Sequence, residues 1–447
     1  MHQLLTLGST LATASGHPCT IETFLGGGGQ GEVYRVLVEG RPFALKWYFP
    51  QQATPAQRQA LAILVDKGPP SAGFLWPLEL IEAPAPAPGT AGFGYLMPLR
   101  EARHKGLVDL MKRRVDPSFR VLSLAGLQLA QAFLRLHAQG LCYRDISFGN
   151  VFFDPATGEI AVCDNDNVAI DGQGTGGILG TPRFIAPEIV RGEAAPSTQT
   201  DLFSLAVLLF YLFHVHHPLE GSREAAIKCF DLPAMNRLYG TEPCFIFDPA
   251  DAGNRPLPGL HDNALAHWPI YPQFLRDLFT QAFTAGLHDP AERVRESIWS
   301  SALARLADSI FYCGQCGAEN FYDAEAAAGP PGPCWSCRRL LTLPYRLRLG
   351  SPGGRPAGRQ VVMLNHDTQL FPHHLDPGRR YDFSQPLAAV QQHPSDPGRW
   401  GLKNLSGAKW VMTGTDGQLR DVEPGRSAAL TAGVQLNLGQ VEGEIAV

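Results

Sequence analysis

The arrangement of apolar and polar residues divides this chain into a β-rich start and a long helical middle. Between residues 21 and 49, short apolar runs separated by glycine and proline predict strands. Residues 55–67 have helical character, with Pro55 suited to a first helical turn. Apolar residues between 122 and 136 recur at helical spacing. Further helices are predicted at 202–213, which is nearly all apolar and therefore buried on every side, at 274–283 and at 294–306.

The pattern changes again near residues 310 and 342. Residues 311–342 are rich in Cys, Gly and Pro, and residues 343–447 are short apolar runs separated by Gly, Pro, Asp and Asn. The latter spacing is typical of an all-β sandwich. We therefore predict three domains, at 1–310, 311–342 and 343–447. About eight strands are predicted in the last domain, at 345–349, 361–364, 369–371, 400–404, 409–412, 419–422, 428–430 and 434–438.

Composition excludes several classes of protein. With 45% hydrophobic and 18% charged residues, the chain is globular rather than disordered. Its net charge of -5 does not favour a strongly basic nucleic-acid binder, so no nucleic-acid partner is expected. No segment reaches the roughly 18 apolar residues of a membrane span, and no basic stretch precedes Leu4 as in a signal peptide. We expect a cytoplasmic protein without a membrane partner.

A glycine cluster lies between two of the predicted strands. Residues 26–33 match the pattern G-x-G-x-x-G-x-V, in which glycines let backbone N–H groups approach phosphates. Lys46 follows on the next predicted strand, in the sequence Phe-Ala-Leu-Lys, where it would supply a positive charge. Taken alone, these features are also compatible with a flexible turn and an ordinary edge-strand lysine.

Three polar residues follow at fixed spacing in the helical part. Asp145 and Asn150 are five residues apart in Tyr-Arg-Asp-Ile-Ser-Phe-Gly-Asn, soon after a long predicted helix. Asp164 comes next, after a short apolar run. The alternative interpretation is a turn rich in Asp, Gly and Asn, and the spacing makes it less favourable.

Three more segments follow along the chain: G-T-P-R-F-I-A-P-E at 180–188, T-D-L-F-S-L at 200–205 and D-P-A-E-R at 289–293. With the four described above, these seven segments occur in the order found in eukaryotic-type (Hanks-type) protein kinases, so the chain resembles a bacterial Ser/Thr protein kinase. The resemblance implies a bilobal kinase fold, with an N-lobe at about 1–97 and a C-lobe at about 98–310. The predicted fold class is therefore a multidomain α+β chain in which two smaller domains follow a kinase domain.

The resemblance also assigns roles to the residues of these segments. Asp145 would accept the proton of the acceptor hydroxyl, and Lys46 would hold the α- and β-phosphates of ATP. Asn150 and Asp164 would ligate Mg²⁺ or Mn²⁺. The residues implied to contact ATP are Gly26, Gly27, Gly28, Gly29, Gln30, Gly31 and Lys46 at the phosphates, Val33 and Ala44 over the adenine, and Met97 just before the hinge.

Contacts around the activation segment are implied as well. By resemblance, Arg293 would pair with Glu188, and Asp201 would brace the catalytic loop. Thr175 is a candidate phosphorylation site, whereas Thr181 is expected to contact the catalytic loop.

The acid that usually pairs with the lysine from helix C is not visible. Asp66 is the only acidic residue between Lys46 and Glu79, and Gln57 and Gln59 lie nearer the expected turn of the helix. A neutral partner would hold Lys46 less firmly than an ion pair. Which of the three residues takes this place stays open.

The catalytic loop departs from the family pattern too. Tyr143 replaces a histidine, Ser147 replaces a lysine that would stabilise the γ-phosphate, and Asn165-Asp166 replace Phe-Gly. The core functional set is nevertheless complete, which favours an active kinase that phosphorylates a partner protein and itself. A nucleotide-binding pseudokinase scaffold is the alternative. A small-molecule kinase is disfavoured because the A-P-E segment shapes a platform for protein substrates.

The segment from residue 245 to 268 suggests a narrower group. It resembles the kinases of bacterial tellurium-resistance (Ter) stress operons. That resemblance implies a stress-response phosphorylation system. Its partners would be a von Willebrand A protein and a PP2C-type phosphatase from the same operon, besides the protein substrate.

Four cysteines form two CxxC pairs after the kinase-like region. Cys313 and Cys316 are separated from Cys334 and Cys337 by 17 residues, a spacing that fits a closed, tetrahedral, structural Zn²⁺ site in a zinc ribbon. Redox-active dithiols and an iron–sulfur cluster are the alternatives. The other cysteines are expected to be small core residues: Cys19, Cys142, Cys163, Cys229 and Cys244. Neighbouring histidines such as His373 and His374 are expected to be solvated or capping rather than a second metal site.

The last domain resembles a forkhead-associated (FHA) domain in its late strands. The resemblance rests on residues 400–406 and 431–439, and the family's phosphothreonine-binding arginine and serine are not evident near 370–374. An FHA-like sandwich here would dock proteins without ordinary phosphothreonine recognition. A plain structural β-sandwich is the alternative.

Overall fold

A computed structural model of the chain describes residues 3–83, 92–172, 180–324, 329–351 and 360–447. Contacts between residues divide the chain into two compact units. The first comprises Met1–Pro117, Ala125–Leu265 and Asp277–Trp299, and the second comprises Ser118–Leu124, Ala266–Arg276 and Ser300–Val447. Every helix in the described residues is too short or too polar to span a lipid bilayer.

The first unit begins with an antiparallel six-stranded sheet in the order β1-β2-β3-β4-β6-β5. Its strands are β1 (Thr10–Ala12), β2 (Pro18–Gly27), β3 (Gly31–Val38), β4 (Arg41–Tyr48), β5 (Glu79–Ala83) and β6 (Gly92–Pro98). Helix α1 (Pro55–Lys67) has the predicted bounds because its ends are encoded locally. Thr54 accepts a hydrogen bond from the backbone N–H of Gln57, and Gly68 ends the helix with a φ of 71°.

The register of the sheet places the predicted nucleotide-contacting residues opposite one another. Val33 pairs with Lys46 across β3 and β4, and Ala44 pairs with Met97 across β4 and β6. Gly31 starts β3 where the backbone of β4 passes closely, since a Cβ at this position would lie 2.1 Å from the carbonyl oxygen of Trp47. Only glycine fits there.

The middle of the chain is mainly helical. Its helices are α2 (Leu107–Met111), α3 (Phe119–Ala138), α4 (Pro187–Val190), α5 (Thr198–His214), α6 (Ser222–Ala225), α7 (Leu232–Asn236), α8 (Asp262–His267), α9 (Gln273–Phe283), α10 (Ala285–His288) and α11 (Glu296–Asp308). Short strands accompany them: β7 (Lys105–Gly106), β8 (Leu141–Cys142), β9 (Val151–Phe153), β10 (Ile160–Val162) and β11 (Ala169–Ile170). Residues 200–214 of α5 are all buried, as the nearly continuous apolar run predicts.

The second unit contains a small hairpin and two larger sheets. The hairpin pairs β12 (Ile310–Tyr312) with β13 (Glu319–Phe321). The remaining elements are β14 (Arg346–Gly350), β15 (Gln360–Met363), β16 (Gln369–Leu370), α12 (Pro372–Leu375), β17 (Ala388–His393), β18 (Asp396–Asn404), β19 (Trp410–Thr413), β20 (Leu419–Val422), β21 (Ser427–Ala429), β22 (Gln435–Asn437) and β23 (Glu442–Ala446). They form sheets of order β15-β14-β23-β22-β19-β20 and β16-β17-β18-β21, whose inner residues share one apolar core.

Two strands of this sandwich, β17 and β23, were not predicted. Their sequences are largely polar, and small residues occupy several positions where predicted strands carry large apolar ones. Gly443 in β23 shows why, because a Cβ there would lie 2.9 Å from Leu347 of the neighbouring strand. Because close packing requires small residues at such positions, these strands lack the large apolar residues by which a strand is predicted from sequence.

Candidate active site and metal centre

The predicted catalytic aspartate lies in a loop before β9 and is held on both carboxylate oxygens. Oδ1 of Asp145 accepts a hydrogen bond of 2.6 Å from the hydroxyl of Thr181. Oδ2 accepts one of 2.9 Å from the side-chain amide of Asn150, which also donates to the backbone carbonyl of Asp145 at 2.9 Å. The expected contact of Thr181 with the catalytic loop is thus confirmed. Thr175 lies outside the described residues.

Asp201 of α5 braces this loop as predicted. Its carboxylate accepts hydrogen bonds from the backbone N–H groups of Tyr143 and Arg144, the latter at 3.0 Å. His137 of α3 lies between Asp201, at 3.1 Å, and Glu296 of α11. Burial alone would lower the pKa of His137, but its hydrogen bonds to the two carboxylates raise the pKa to about 9. A cationic imidazole therefore bridges the two acids.

Asp164 follows β10 directly, next to Asn150. The backbone N–H of Cys163 donates to the carbonyl of Asn150 at 2.8 Å, which fixes these two loop ends side by side. Asp164 adopts a left-handed φ of 48°. Burial and the charge of Asp166 raise the pKa of Asp164 despite the proximity of Lys46. A carboxylate and an amide oxygen, the side-chain donors of Asp164 and Asn150, are the hard oxygen ligands that Mg²⁺ prefers.

Lys46 lies on β4 and is almost fully buried, at 5% exposure. Its Nζ is 2.8 and 3.0 Å from the two carboxylate oxygens of Asp166, 3.5 Å from Asp164 and 2.9 Å from the amide oxygen of Gln30. Burial alone would lower the pKa of Lys46, but Asp166 and Asp164 raise it above its usual value. The lysine is therefore charged and held mainly by Asp166.

Asp166 was noted in the sequence only as a departure from the family pattern. Its carboxylate also accepts hydrogen bonds from the hydroxyls of Tyr48 and Tyr95, the latter at 3.0 Å. Of the three helix residues considered as partners of the lysine, only Gln57 reaches this cluster, at 3.2 Å from the Tyr48 hydroxyl. Gln59 and Asp66 are exposed. The sequence did contain a signal for this ion pair. No acid lies at the expected turn of α1, and an extra acid, Asp166, lies two residues after Asp164.

The glycine-rich turn connects β2 to β3. The backbone N–H of Gly28 donates to the carbonyl of Gly31 at 2.9 Å, which closes the turn. A Cβ on Gly26, Gly28 or Gly29 would meet nothing within 4 Å, so these glycines leave open space above the sheet. Below the turn, Ala44 and Met97 belong to one apolar cluster, against which Val33 packs.

The four predicted cysteine ligands lie together in the second unit. Their sulfur atoms are all within 4.8 Å of one another, and Cys313–Cys337 and Cys316–Cys334 are each 3.7 Å apart. Four thiolates around one Zn²⁺, with bonds of about 2.3 Å, are expected about 3.8 Å apart. Asn320 donates from its amide to the sulfur of Cys334 at 3.6 Å. The donor set and its spacing fit a tetrahedral metal site.

One of the remaining cysteines contradicts the expectation of core thiols. Cys229 is exposed because it lies in the solvent-facing segment between α6 and α7. Cys19, Cys142 and Cys244 are buried, and Cys163 is partly buried.

His373 and His374 lie beside the buried Asp308. The Nδ1 atoms of the two rings accept hydrogen bonds from the backbone N–H groups of Tyr381 and Phe371, at 3.0 and 2.9 Å. In each neutral ring the proton therefore lies on Nε2, and Nε2 of His374 faces Asp308 at 3.0 Å. By its contact with Phe371, His374 caps α12, one of the roles expected from the sequence.

The part of the chain that contains Asp145 and Asn150 is similar in sequence to known proteins. Residues 95–251 match the family model of the protein kinase domain. The probable serine/threonine-protein kinase CCRP1 of Zea mays is 31% identical over 122 residues, which cover 27% of this chain and 19% of that protein. CBL-interacting protein kinase 4 of Oryza sativa subsp. japonica is 32% identical over 139 residues, 28% of this chain and 30% of the relative. Protein kinase MCK1 of Saccharomyces cerevisiae is 29% identical over 126 residues, 26% of this chain and 33% of that protein.

The chain thus spans between about a fifth and a third of the length of these relatives. The matched region contains Asp145, Asn150 and Asp164, whereas Lys46 and the glycine-rich turn precede it. The loop that contains Asp145 and Asn150 and the similarity to named kinases fall in the same part of the chain.

Proposed function

We propose that this chain is a Ser/Thr protein kinase that transfers the γ-phosphate of ATP to a hydroxyl of a partner protein and of itself. The observation that carries the proposal is the convergence in one unit of Lys46 with Asp145, Asn150 and Asp164, which follow it about a hundred residues later in the sequence. Positioning and charge neutralisation carry most of phosphoryl transfer, and these four residues supply both.

In this proposal, the phosphates of ATP lie beneath the glycine-rich turn of residues 26–31. Lys46 contacts the α- and β-phosphates, and the apolar cluster of Val33, Ala44 and Met97 contacts the adenine. Asn150 and Asp164 hold Mg²⁺ or Mn²⁺, which when bound neutralises charge on the phosphates.

Asp145 is proposed as the proton acceptor of the reaction. The acceptor hydroxyl oxygen forms a bond to the γ-phosphorus, and the bond from that phosphorus to the β,γ-bridging oxygen breaks. The electron pair of the broken bond leaves with ADP, and the hydroxyl proton moves to Asp145. The hydrogen bonds from Thr181 and Asn150 orient the carboxylate for this transfer.

Incubation of the purified chain with radiolabelled ATP and Mg²⁺ or Mn²⁺ tests this function. We expect labelling of the chain itself, with Asp145→Ala and Asp164→Ala abolishing it. A second candidate, a nucleotide-binding pseudokinase scaffold, is favoured by one observation: the position of the usual catalytic-loop lysine is a buried serine, Ser147. ATP binding without transfer to the chain or to any partner would support that candidate and contradict the kinase.

We further propose that Cys313, Cys316, Cys334 and Cys337 hold a structural Zn²⁺ in a ribbon at residues 311–342. The sandwich after residue 343 is proposed to be an FHA-like protein-docking module. By resemblance alone, the physiological setting is a bacterial Ter stress operon, with its von Willebrand A protein and PP2C-type phosphatase as partners. Adding each purified partner to the labelling reaction would identify a substrate.

A further inference from the structure

We propose that Asp166 is the positioning residue for Lys46 and that it takes the place of an acid on helix α1. The inference rests on the proposed kinase function, and it concerns how the phosphate-binding lysine is held. In the general kinase mechanism, a glutamate on a helix forms an ion pair with this lysine, and the position of the helix controls activity. Here the acid comes instead from the 3₁₀ turn Asn165–Asn167 that follows the proposed metal ligand Asp164.

The surroundings of Asp166 are built to hold a charged carboxylate. The residue is 2% exposed, and its two oxygens accept hydrogen bonds from Lys46, Tyr48 and Tyr95. A buried ion pair is stable only when hydrogen bonds satisfy its remaining lone pairs, and the tyrosines meet this requirement.

The donors to Asp166 come from the sheet rather than from the helix. Lys46 and Tyr48 are on β4, and Tyr95 is on β6. Helix α1 contributes the neutral amide of Gln57, 3.5 Å from the backbone carbonyl of Asp166. The position of Lys46 is therefore fixed by strands and by the loop after β10. A displacement of α1 would remove the two contacts of Gln57, with the Tyr48 hydroxyl and with the backbone carbonyl of Asp166, and leave the ion pair intact.

Lys46 lies between two carboxylates, and Asp166 is its nearer partner. Among the described residues, these are the two carboxylates within 4.0 Å of Nζ, and Asp166 is nearer, at 2.8 Å against 3.5 Å. If Asp166 lost its charge, Asp164 would be left as the neighbouring carboxylate for a buried cation. The lysine would then compete with Mg²⁺ for that carboxylate. Loss of Asp166 should therefore weaken Mg²⁺ binding as well as nucleotide binding.

The contact of Lys46 with Gln30 completes the arrangement. The amide oxygen of Gln30 occupies the side of Nζ turned toward the glycine-rich turn, at 2.9 Å. A phosphate oxygen can replace this neutral acceptor without disturbing the pair with Asp166. Asp166 thus holds the lysine throughout, whereas Gln30 is replaced by a phosphate oxygen when the nucleotide binds.

The test variant is Asp166→Asn, which keeps the shape and removes the charge. We expect the KM for ATP to rise roughly tenfold, which corresponds to the loss of one charge-assisted hydrogen bond. The Mg²⁺ concentration giving half-maximal rate should rise as well, by roughly threefold to tenfold. Asp66→Asn makes the same charge change on the exposed side of α1 and should leave both values unchanged.

The Mg²⁺ titration distinguishes a positioning role of Asp166 from a purely structural one. If Asp166→Asn lowers the melting temperature but keeps the wild-type KM for ATP and Mg²⁺ dependence, the proposal is overturned. Tyr95→Phe serves if Asp166→Asn does not fold, because it removes one donor and keeps the carboxylate. It should raise the same two values by a smaller factor, and no change in either would also overturn the proposal.

Failure of the kinase function is distinguished by calorimetric binding of ATP with Mg²⁺, which needs no phosphate transfer. If the wild type transfers no phosphate, but Asp166→Asn binds ATP more weakly than Asp66→Asn, the enzyme proposal fails and the positioning role stands. If the wild type is active and Asp166→Asn binds ATP as tightly as Asp66→Asn, the positioning role fails alone. In the double variant Asp166→Asn/Gln57→Glu, partial recovery of ATP affinity is expected, because a carboxylate returns to the same cluster from the helix.

Discussion

The guanidinium of Arg293 and the carboxylate of Glu188 form a bidentate ion pair across 105 residues of sequence, with nitrogen–oxygen distances of 2.8 and 2.7 Å. This pair was predicted from the resemblance and is confirmed. The arginine side chain is 2% exposed and the glutamate 12%, so the pair is largely shielded from water. Arg293 also donates to the backbone carbonyls of Gln199 and Gly286, which ties α5 and α10 to the end of the activation segment.

Breaking this pair should destabilise the first unit. Glu188→Ala leaves a buried guanidinium without its counter-charge, and we expect a loss of about 3–5 kcal/mol in the free energy of unfolding. Denaturant titration of the full chain measures the effect. Arg295→Ala, at an exposed position two residues from Arg293, is the control and should change stability by less than about 0.5 kcal/mol. Equal stability of the two variants would contradict the structural importance of the pair.

The His137 bridge predicts a pH-dependent stability. Its pKa is about 9 in the folded protein and about 6.5 when unfolded, so the charged ring stabilises the fold fully below about pH 6.5. This contribution, about 3 kcal/mol, should be lost as pH rises from about 6.5 through about 9. Unfolding free energies at several pH values, for wild type and His137→Gln, measure it. The difference between the two proteins should shrink toward high pH, and a constant difference would argue against a charged bridge.

Thr181 should affect catalysis through the orientation of Asp145. Thr181→Val removes the hydroxyl that donates to Oδ1 of Asp145, and we expect kcat for phosphate transfer to fall about tenfold with little change in KM for ATP. Thr181→Ser keeps the hydroxyl and should retain most of the activity. Steady-state kinetics of the two variants decide the matter, since equal values of kcat would show that the contact is not used.

Two glycines of the phosphate turn should respond differently to alanine. A Cβ on Gly31 would lie 2.1 Å from the carbonyl oxygen of Trp47, whereas one on Gly28 would meet nothing within 4 Å. Gly31→Ala should therefore lower the unfolding free energy by at least about 2 kcal/mol. Gly28→Ala should leave stability within about 0.5 kcal/mol of wild type. Thermal unfolding of both variants provides the comparison, and equal melting temperatures would contradict it.

Metal analysis tests the four-cysteine site. Elemental analysis of the purified chain should give one zinc per molecule, and Cys334→Ser should lose it. Cys229→Ser changes an exposed cysteine outside the cluster and should retain the metal. Because the surrounding ribbon has little apolar core, chelation should increase its proteolysis. Iron with visible absorbance in place of zinc would indicate a cluster, and full zinc content in Cys334→Ser would refute the assignment.

Sequence alone determined the features that are encoded by neighbouring residues. The bounds of α1, the buried helix α5 and the spacing of Asp145 and Asn150 depend on capping, apolar periodicity and a single loop. The four cysteines could be predicted as one metal site from local sequence too, because each CxxC pair supplies two neighbouring ligands. The confirmed partner of Arg293 came from family resemblance rather than from local physics.

Tertiary structure alone decided the partner of Lys46. Gln57, Gln59 and Asp66 are nearer in sequence, but Asp166 is 120 residues away and reaches the lysine only when β4, β6 and the loop after β10 come together. The same holds for β17 and β23, whose small and polar residues become intelligible only beside their neighbouring strands. Local sequence determines most of the secondary structure and the functional groups that are available. Packing of distant segments determines which charged groups are buried together. A buried cation requires a counter-charge, and that charge can come from a residue far away in the sequence.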